Sequence, residues 1–318
     1  MNTIASLESL RTIDCQYEGP RRAAAYLVVE NDHVAFIDNN TVHAVPHLLK
    51  GLQDAGRSPE HVEYLIVTHA HLDHAGGTAA LLAHCPNATV IAHERAARHI
   101  IDPTRLVAGA KHVYGEERFA ELYGEIDPID EARVRIVQDN ETVDVGGRQL
   151  QILYTLGHAK HHFAVYDAAT NSAIAGDNFG NAYPDLQNGD RPFIFFCSAP
   201  TDFDAAEARK SVQKIIDTGA DRVFIGHYGI VTDPKGVSND LIHSIDRMEA
   251  IQIEASNPEI PEVDLESFCT RRVTEELIAL YQATGATLTE RDEQNLQLDI
   301  WLNWNGVHWN ATKARKKD

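Results

Sequence analysis

The stretch THAHLDHAGG (residues 68–77) places four metal-capable side chains, His69, His71, Asp73 and His74, within six positions. It directly follows the apolar run Tyr64, Leu65, Ile66 and Val67, which reads as a buried strand over 64–67. Imidazole and carboxylate are ordinary ligands of zinc and ferrous iron. Alternation in an extended segment lets His69 and His71 point to one side. Asp73 and His74 then fall in the first turn of the next element, where they can offer ligands to a second ion. A run of solvated polar residues in a loop is the plainer reading, but four such residues behind a strand argue against it.

Three further segments carry candidate ligands. TLGHAKHH (155–162) holds His158 after the apolar segment 150–156, SAIAGDNFG (172–180) holds Asp177 after 173–175, and RVFIGHYG (222–229) holds His227 after 223–225. Each stands just beyond a predicted strand, where ligands and catalytic groups gather in folds that mix strands and helices. A lone histidine in such a place is usually a loop residue. Order and context together give the set its weight.

The chain resembles metallo-β-lactamase-superfamily hydrolases, and in pattern the branch shared by glyoxalase II enzymes and lactonases. That family's ligand order is HxHxDH followed by a histidine, an aspartate and a histidine. By this resemblance His69, His71 and His158 match a first metal site, Asp73, His74 and His227 a second, and Asp177 the carboxylate that bridges them. The resemblance spans about residues 20 to 235 and leaves no ligand position empty. It implies an α+β, four-layer αββα sandwich, and two divalent ions, zinc first with iron or manganese as alternatives. Such ions would hold a bridging hydroxide for attack on an ester, thioester or lactone carbonyl. Asp73 would bind one ion and orient the nucleophile. A second reading keeps one iron, held by His71, His158 and Asp177, as in the persulfide dioxygenases.

Around this set, Asp38 matches the acidic position the family keeps beside its metal loop, and could orient a metal histidine or cap a turn. His161 is a candidate contact to the site or substrate; nothing is claimed for His162. A lactonase relative carries a tyrosine three residues past the bridging aspartate, where this chain has Gly180. Tyr183 and Tyr228 are the nearby candidates for protonating a leaving group, with packing as their plainer role. Phe193 and Phe196 either line an apolar pocket with Phe195 in the core, or the reverse. His84, His93, His99 and His112 carry no partner pattern and read as surface or structural.

The 318 residues allow one large domain or two modest ones. A formal net charge of −19 argues against partners with phosphate backbones or anionic lipid surfaces. Only about fifty residues lie between Asp177 and His227, too few for the insertion of one nuclease branch. The expected partner is therefore a small-molecule substrate, with neither nucleic acid nor membrane. Four cysteines without a CxxC pair, and an amino terminus lacking a basic start and apolar core, point to a cytoplasmic protein.

Pattern and turn residues predict strands at 24–30 and 33–38 around Asn31-Asp32, then at 88–92, 133–137, 142–145, 149–154, 163–166, 173–175 and 222–225. Helices are expected at 43–55, 76–83, 94–101 and 204–217, the last with Asp202 as a possible N-cap. Residues 102–130 read as an inserted pair of short helices near the site mouth. A catalytic domain (1–235) then gives way to a helical extension (236–318), with helices at 241–253, 263–284 and 290–304. Trp301, Trp304 and Trp309 are expected to bury against the main domain or a partner subunit, which would allow a homo-oligomer through these helices. The terminal KARKKD reads as a frayed tail.

Overall fold

The computed structural model describes residues 7–198 and 202–316. Residues 1–6, the start of the amino-terminal stretch 1–17 read above for a leader, lie outside them, as do residues 199–201, Lys317 and Asp318. The chain forms two compact units. The first runs through Tyr154 and takes in His161–Gly176 and Thr218–Thr232; the second holds Thr155–Lys160, Asp177–Asp217 and everything from Asp233. The second thus contains the helical region expected from residue 236, together with the His158 loop and residues 177–217.

In the first unit, β1 (Leu10–Asp14), β2 (Ala24–Glu30), β3 (His33–Ile37), β4 (Val62–Ile66), β5 (Thr89–His93) and β6 (Val134–Val137) form a sheet in chain order. The steps β3 to β6 are parallel, so their carboxyl ends share one edge. The second sheet runs β12 (Gly229–Val231), β11 (Arg222–Ile225), β10 (Ser172–Ile174), β9 (Phe163–Asp167), β8 (Arg148–Tyr154) and β7 (Thr142–Val145). Side chains alternate cleanly across the first sheet. Ala24, Tyr26 and Val28 join Ile152, Phe163 and Val165 of the second sheet in one core, while Ala25, Leu27 and Phe36 face a second core. That second core is closed by α1 (Val45–Asp54), α3 (Thr78–His84) and α4 (Glu94–Ile101), through Leu48, Leu52, Leu81, Ala97 and Ile100. Buried on both faces, β2 to β5 read as near-continuous apolar runs.

The inserted pair expected at 102–130 is α5 (Thr104–Tyr114) and α6 (Glu116–Tyr123). Phe119, Leu122 and Tyr123 pack there on Leu72, which belongs to the loop that carries His69, His71, Asp73 and His74. The second unit packs α7 (Ala205–Asp217), α8 (Pro234–Ala255), α9 (Glu262–Gln282) and α10 (Glu290–Arg315) against one another.

Several local expectations are corrected. β1 and β12 were not foreseen, and both are edge strands of five and three residues with little periodicity to reveal them. The cap of α7 is Asp204, whose carboxylate accepts the Glu207 N–H at 3.1 Å; Asp202 instead pairs with Lys160. The last helix does not fray at residue 313. Arg315 ties it back, donating to the carbonyls of Ala255 and Ile260, each at 3.0 Å. Within the chain Trp309 is 52% exposed, and Trp301 and Trp304 are only half-buried, so of the two alternatives for these residues burial within the chain does not hold. The buried face of α10 carries Leu296, Asp299, Asn303, Val307 and Ala311 instead.

Candidate metal centre

The loop that follows β4 turns into a single helical turn, α2 (Leu72–Ala75), and is braced by residues at the end of β3. Asp38 takes a left-handed φ of 60° and is almost wholly buried. Its Oδ1 accepts the Thr68 N–H at 2.9 Å, and the Thr68 hydroxyl donates to the same carboxylate at 2.9 Å. Its Oδ2 lies 2.9 Å from His74 Nδ1. Because a carboxylate only accepts, His74 must carry its proton on Nδ1 and present Nε2 as the acceptor nitrogen. The Thr68 hydroxyl, with its proton committed to Asp38, accepts from His69 Nδ1 at 3.0 Å, which fixes His69 in the same tautomer. Asn40 adds a second clamp, donating from Nδ2 to the Asp73 carbonyl at 2.7 Å.

His227 is set by the far sheet. Its Nδ1 donates to the Arg22 carbonyl at 3.0 Å, again leaving Nε2 to act as a ligand. The end of β11 is pinned to the first sheet by the Tyr26 hydroxyl on the Ile225 carbonyl at 2.6 Å and by the Ala24 N–H on the Gly226 carbonyl at 2.9 Å. These braces bring Asp73, His74 and His227 together, with one ligand atom from each lying within 4.8 Å of the others. His227 Nε2 stands 3.2 Å and His74 Nε2 3.8 Å from Asp73 Oδ2. His69 Nε2 and His71 Nδ1 face each other at 3.0 Å. Two atoms each about 2.0–2.1 Å from one tetrahedral ion stand roughly 3.3 Å apart, so these spacings suit shared cations.

In the second unit His158 and Asp177 form a similar pair, His158 Nε2 lying 3.3 Å from Asp177 Oδ2. The His158 ring donates from Nδ1 to the Cys197 carbonyl at 3.1 Å. Asn178 Oδ1 accepts the His158 N–H at 3.3 Å and its Nδ2 donates to the Thr155 carbonyl at 2.6 Å. A donor set of carboxylates and imidazoles with fixed tautomers fits a divalent metal in kind as well as in spacing.

The remaining candidates separate. His161 sits beside the loop, its Nδ1 accepting the Ala70 N–H at 3.3 Å and its ring 5.8 Å from that of His71. His162, for which the sequence supported no role, is fully buried with its ring 4.8 Å from that of His69. Phe196 packs 6.4 Å from the His158 ring. Phe193 and Phe195 are both core, and Phe193 stacks edge-on against Tyr281 of α9. Tyr183 is buried and donates its hydroxyl to Asp299 at 3.0 Å, which makes it part of the packing. Tyr228 lies half-buried against the inter-sheet core, and burial pushes its phenol pKa up. Gly180 has a physical cause: its φ is +76°, and a Cβ there would come within 2.6 Å of the Phe195 carbonyl, so no tyrosine fits. His93 is structural, its Nδ1 accepting the Arg95 N–H at 2.9 Å to cap α4.

The sequence reading passed over Tyr17 and Tyr123. Their hydroxyls stand 3.2 Å apart, and Tyr123 packs with Leu72 of the loop between His69 and His74. Burial holds both phenols well above their usual pKa, with the Asp73 charge adding to it, so both stay protonated at neutral pH. No sequence signal links Tyr17 to a helix about one hundred residues away.

The chain belongs to the metallo-beta-lactamase superfamily, whose family model matches residues 19–227. The metallo-beta-lactamase fold-containing protein ST1585 of Sulfurisphaera tokodaii is 27% identical over 196 residues, covering 60% of this chain and 69% of the relative. The crystal structure of ST1585 from Sulfolobus tokodaii superposes with a TM-score of 0.66 at 21% identity, over 94% of this chain and 98% of that one. The family protein TTHA1429 from Thermus thermophilus gives a TM-score of 0.63 at 20% identity, over 97% and 94%. The two sheets, their helices and the carboxy-terminal helices are thus the metallo-β-lactamase fold expected from the motif. At these identities the structural likeness fixes the fold and nothing finer.

Proposed function

We propose that the protein is a binuclear metal-dependent hydrolase acting on an ester, thioester or lactone carbonyl. On the family's ligand order, His69, His71 and His158 would hold one ion and Asp73, His74 and His227 the other, with Asp177 shared between the two sets. Zinc is the first choice for such a set. One observation carries the reading: Asp38, Thr68 and two backbone carbonyls fix His69, His74, His158 and His227 with Nδ1 protonated and Nε2 as the ligating nitrogen. A mere packing role for these rings asks for no such uniform choice of tautomer.

When bound, a pair of divalent ions supplies Lewis acidity to a carbonyl oxygen and lowers the pKa of a water towards neutrality. The chain's residues do the rest. Asp73 lies beside both His74 and His227 and orients the attacking water with its carboxylate. Asp38 holds the negative charge that raises the basicity of His74 through its Nδ1–H. In the Tyr17–Tyr123 pair beside the loop one hydroxyl donates to the other, which leaves one O–H to donate to a polar substrate atom. The net charge of −19 supports a small substrate over a polyanion.

The test is hydrolysis of p-nitrophenyl butyrate, acetylthiocholine and γ-butyrolactone before and after chelation. Turnover of at least one, lost with dipicolinate and restored by zinc, is expected. Turnover untouched by chelation would overturn the proposal. Oxygen uptake on a persulfide by protein holding a single iron would replace it with the dioxygenase reading.

A further inference from the structure

We infer that Asn303 of α10 is a positioning residue for His158, acting through the Cys197–Ser198 peptide. The inference rests on the proposed role of His158 as a metal ligand. Asn303 and Ser198 are both fully buried. Asn303 Oδ1 accepts the Ser198 N–H at 2.8 Å and the Ser198 hydroxyl at 2.8 Å, so one amide oxygen holds both donors of that residue. The peptide so anchored begins at Cys197, whose carbonyl accepts His158 Nδ1–H at 3.1 Å. Asn303 is itself oriented, since its Nδ2 donates to the Asp299 carbonyl one helical turn earlier at 2.8 Å.

A peptide plane is rigid, so fixing its N–H fixes the direction of its carbonyl. Here that carbonyl decides which His158 nitrogen carries the proton and where the ring points. The same helix anchors the strand-like segment after Asp177 at a second place. Asp299 Oδ1 accepts from Asn181 Nδ2 and from the Tyr183 hydroxyl, each at 3.0 Å. All of these side chains are buried, where an unmade hydrogen bond costs about 1–3 kcal/mol, so the network has one low-energy arrangement. The carboxy-terminal helix is therefore part of the metal-binding apparatus, although none of its residues is a ligand.

The experiment compares wild type, Asn303→Leu and Asn303→Asp, with zinc as the probe. A competing fluorescent chelator resolves two binding steps, and long-range ¹H–¹⁵N NMR of the zinc-free protein reports the His158 tautomer. Asn303→Leu is expected to weaken one zinc step by about tenfold or more, leave the other unchanged, and release His158 from its Nδ1–H form. Asn303→Asp keeps the oxygen that Ser198 needs but sets a carboxylate oxygen, in place of the Nδ2 donor, against the Asp299 carbonyl, so it should keep the His158 tautomer and weaken the zinc step less than Asn303→Leu does. If Asn303→Leu does not fold, Asn303→Ser, which adds no bulk and shortens the side chain, takes its place. A folded Leu or Ser variant with both zinc steps and the His158 tautomer as in wild type would overturn the inference. Should wild type itself bind no zinc, the metal reading fails, and the tautomer comparison alone still decides the role of Asn303.

Discussion

His69 and His74 of the first unit and His158 of the second are held by opposite means. In the first, His69 and His74 are fixed by Asp38 and Thr68, which follow neighbouring parallel strands and lie within about forty residues of chain. In the second, His158 is fixed by Cys197 and, through Ser198, by Asn303, 145 positions away in a long helix. A strand-end site can be assembled from short-range register. A site braced by a helix depends on tertiary packing, and so on residues with no motif of their own.

Five substitutions would break or sharpen this contrast. The largest effect is expected from Arg148→Ala, since Arg148 and Asp167 form an ion pair with side chains 1% and 0% exposed. Leaving the Asp167 carboxylate buried without its cation, with only the Thr170 hydroxyl and the Ala169 N–H donating to it, should cost about 3–5 kcal/mol by urea unfolding. Arg272→Ala, which removes the half-exposed pair to Glu254 in the second unit, should cost under about 1 kcal/mol. Comparable losses would mean that buried charge does not distinguish the units.

Next comes Asp38→Ala. Because Asp38 reaches both His74 and, through Thr68, His69, it should weaken both zinc steps by about 10–100-fold, where Asn303→Leu weakens one. Calorimetric titration showing a single affected step would break the comparison at its centre. Asn40→Gly is a smaller change. It keeps the left-handed φ of 52° but removes the amide on the Asp73 carbonyl, and should cost about 1 kcal/mol, or roughly fivefold in one zinc affinity.

The smallest concerns pH. Burial lowers the His93 pKa, and its Nδ1 must be unprotonated to cap α4. The unfolded chain therefore binds this proton more readily than the folded one, so this contribution is present above about pH 6.5 and is lost as pH falls through the depressed folded value. His93→Asn, a cap that does not titrate, should narrow the difference in unfolding free energy between pH 7.5 and 5.5 by at most about 1 kcal/mol. An unchanged difference would remove His93 as its source.

How much was legible follows the same divide. The HxHxDH string and the strands before it could be read directly, because β2 to β5 are buried on both faces and their apolar runs are continuous. α4 (Glu94–Ile101) and β11 (Arg222–Ile225) fell where their patterns put them. The edge strands β1 and β12 could not be read, being short and half-exposed. Asp38 was found by its place at a strand end, but its double grip on Thr68 and His74 needed coordinates. Tyr183 and Phe193 looked like site residues because they follow Asp177, yet Asp299 and Tyr281 from distant helices claim them for packing. His162 and Tyr123 stayed hidden for the converse reason: their neighbours come from other elements.

The most direct measurement is metal content per chain on protein purified without chelators. The account predicts about two equivalents of zinc, or of manganese or iron in its place, falling to about one in Asp73→Ala. Protein that carries no metal, and takes up none from a zinc buffer, would contradict it.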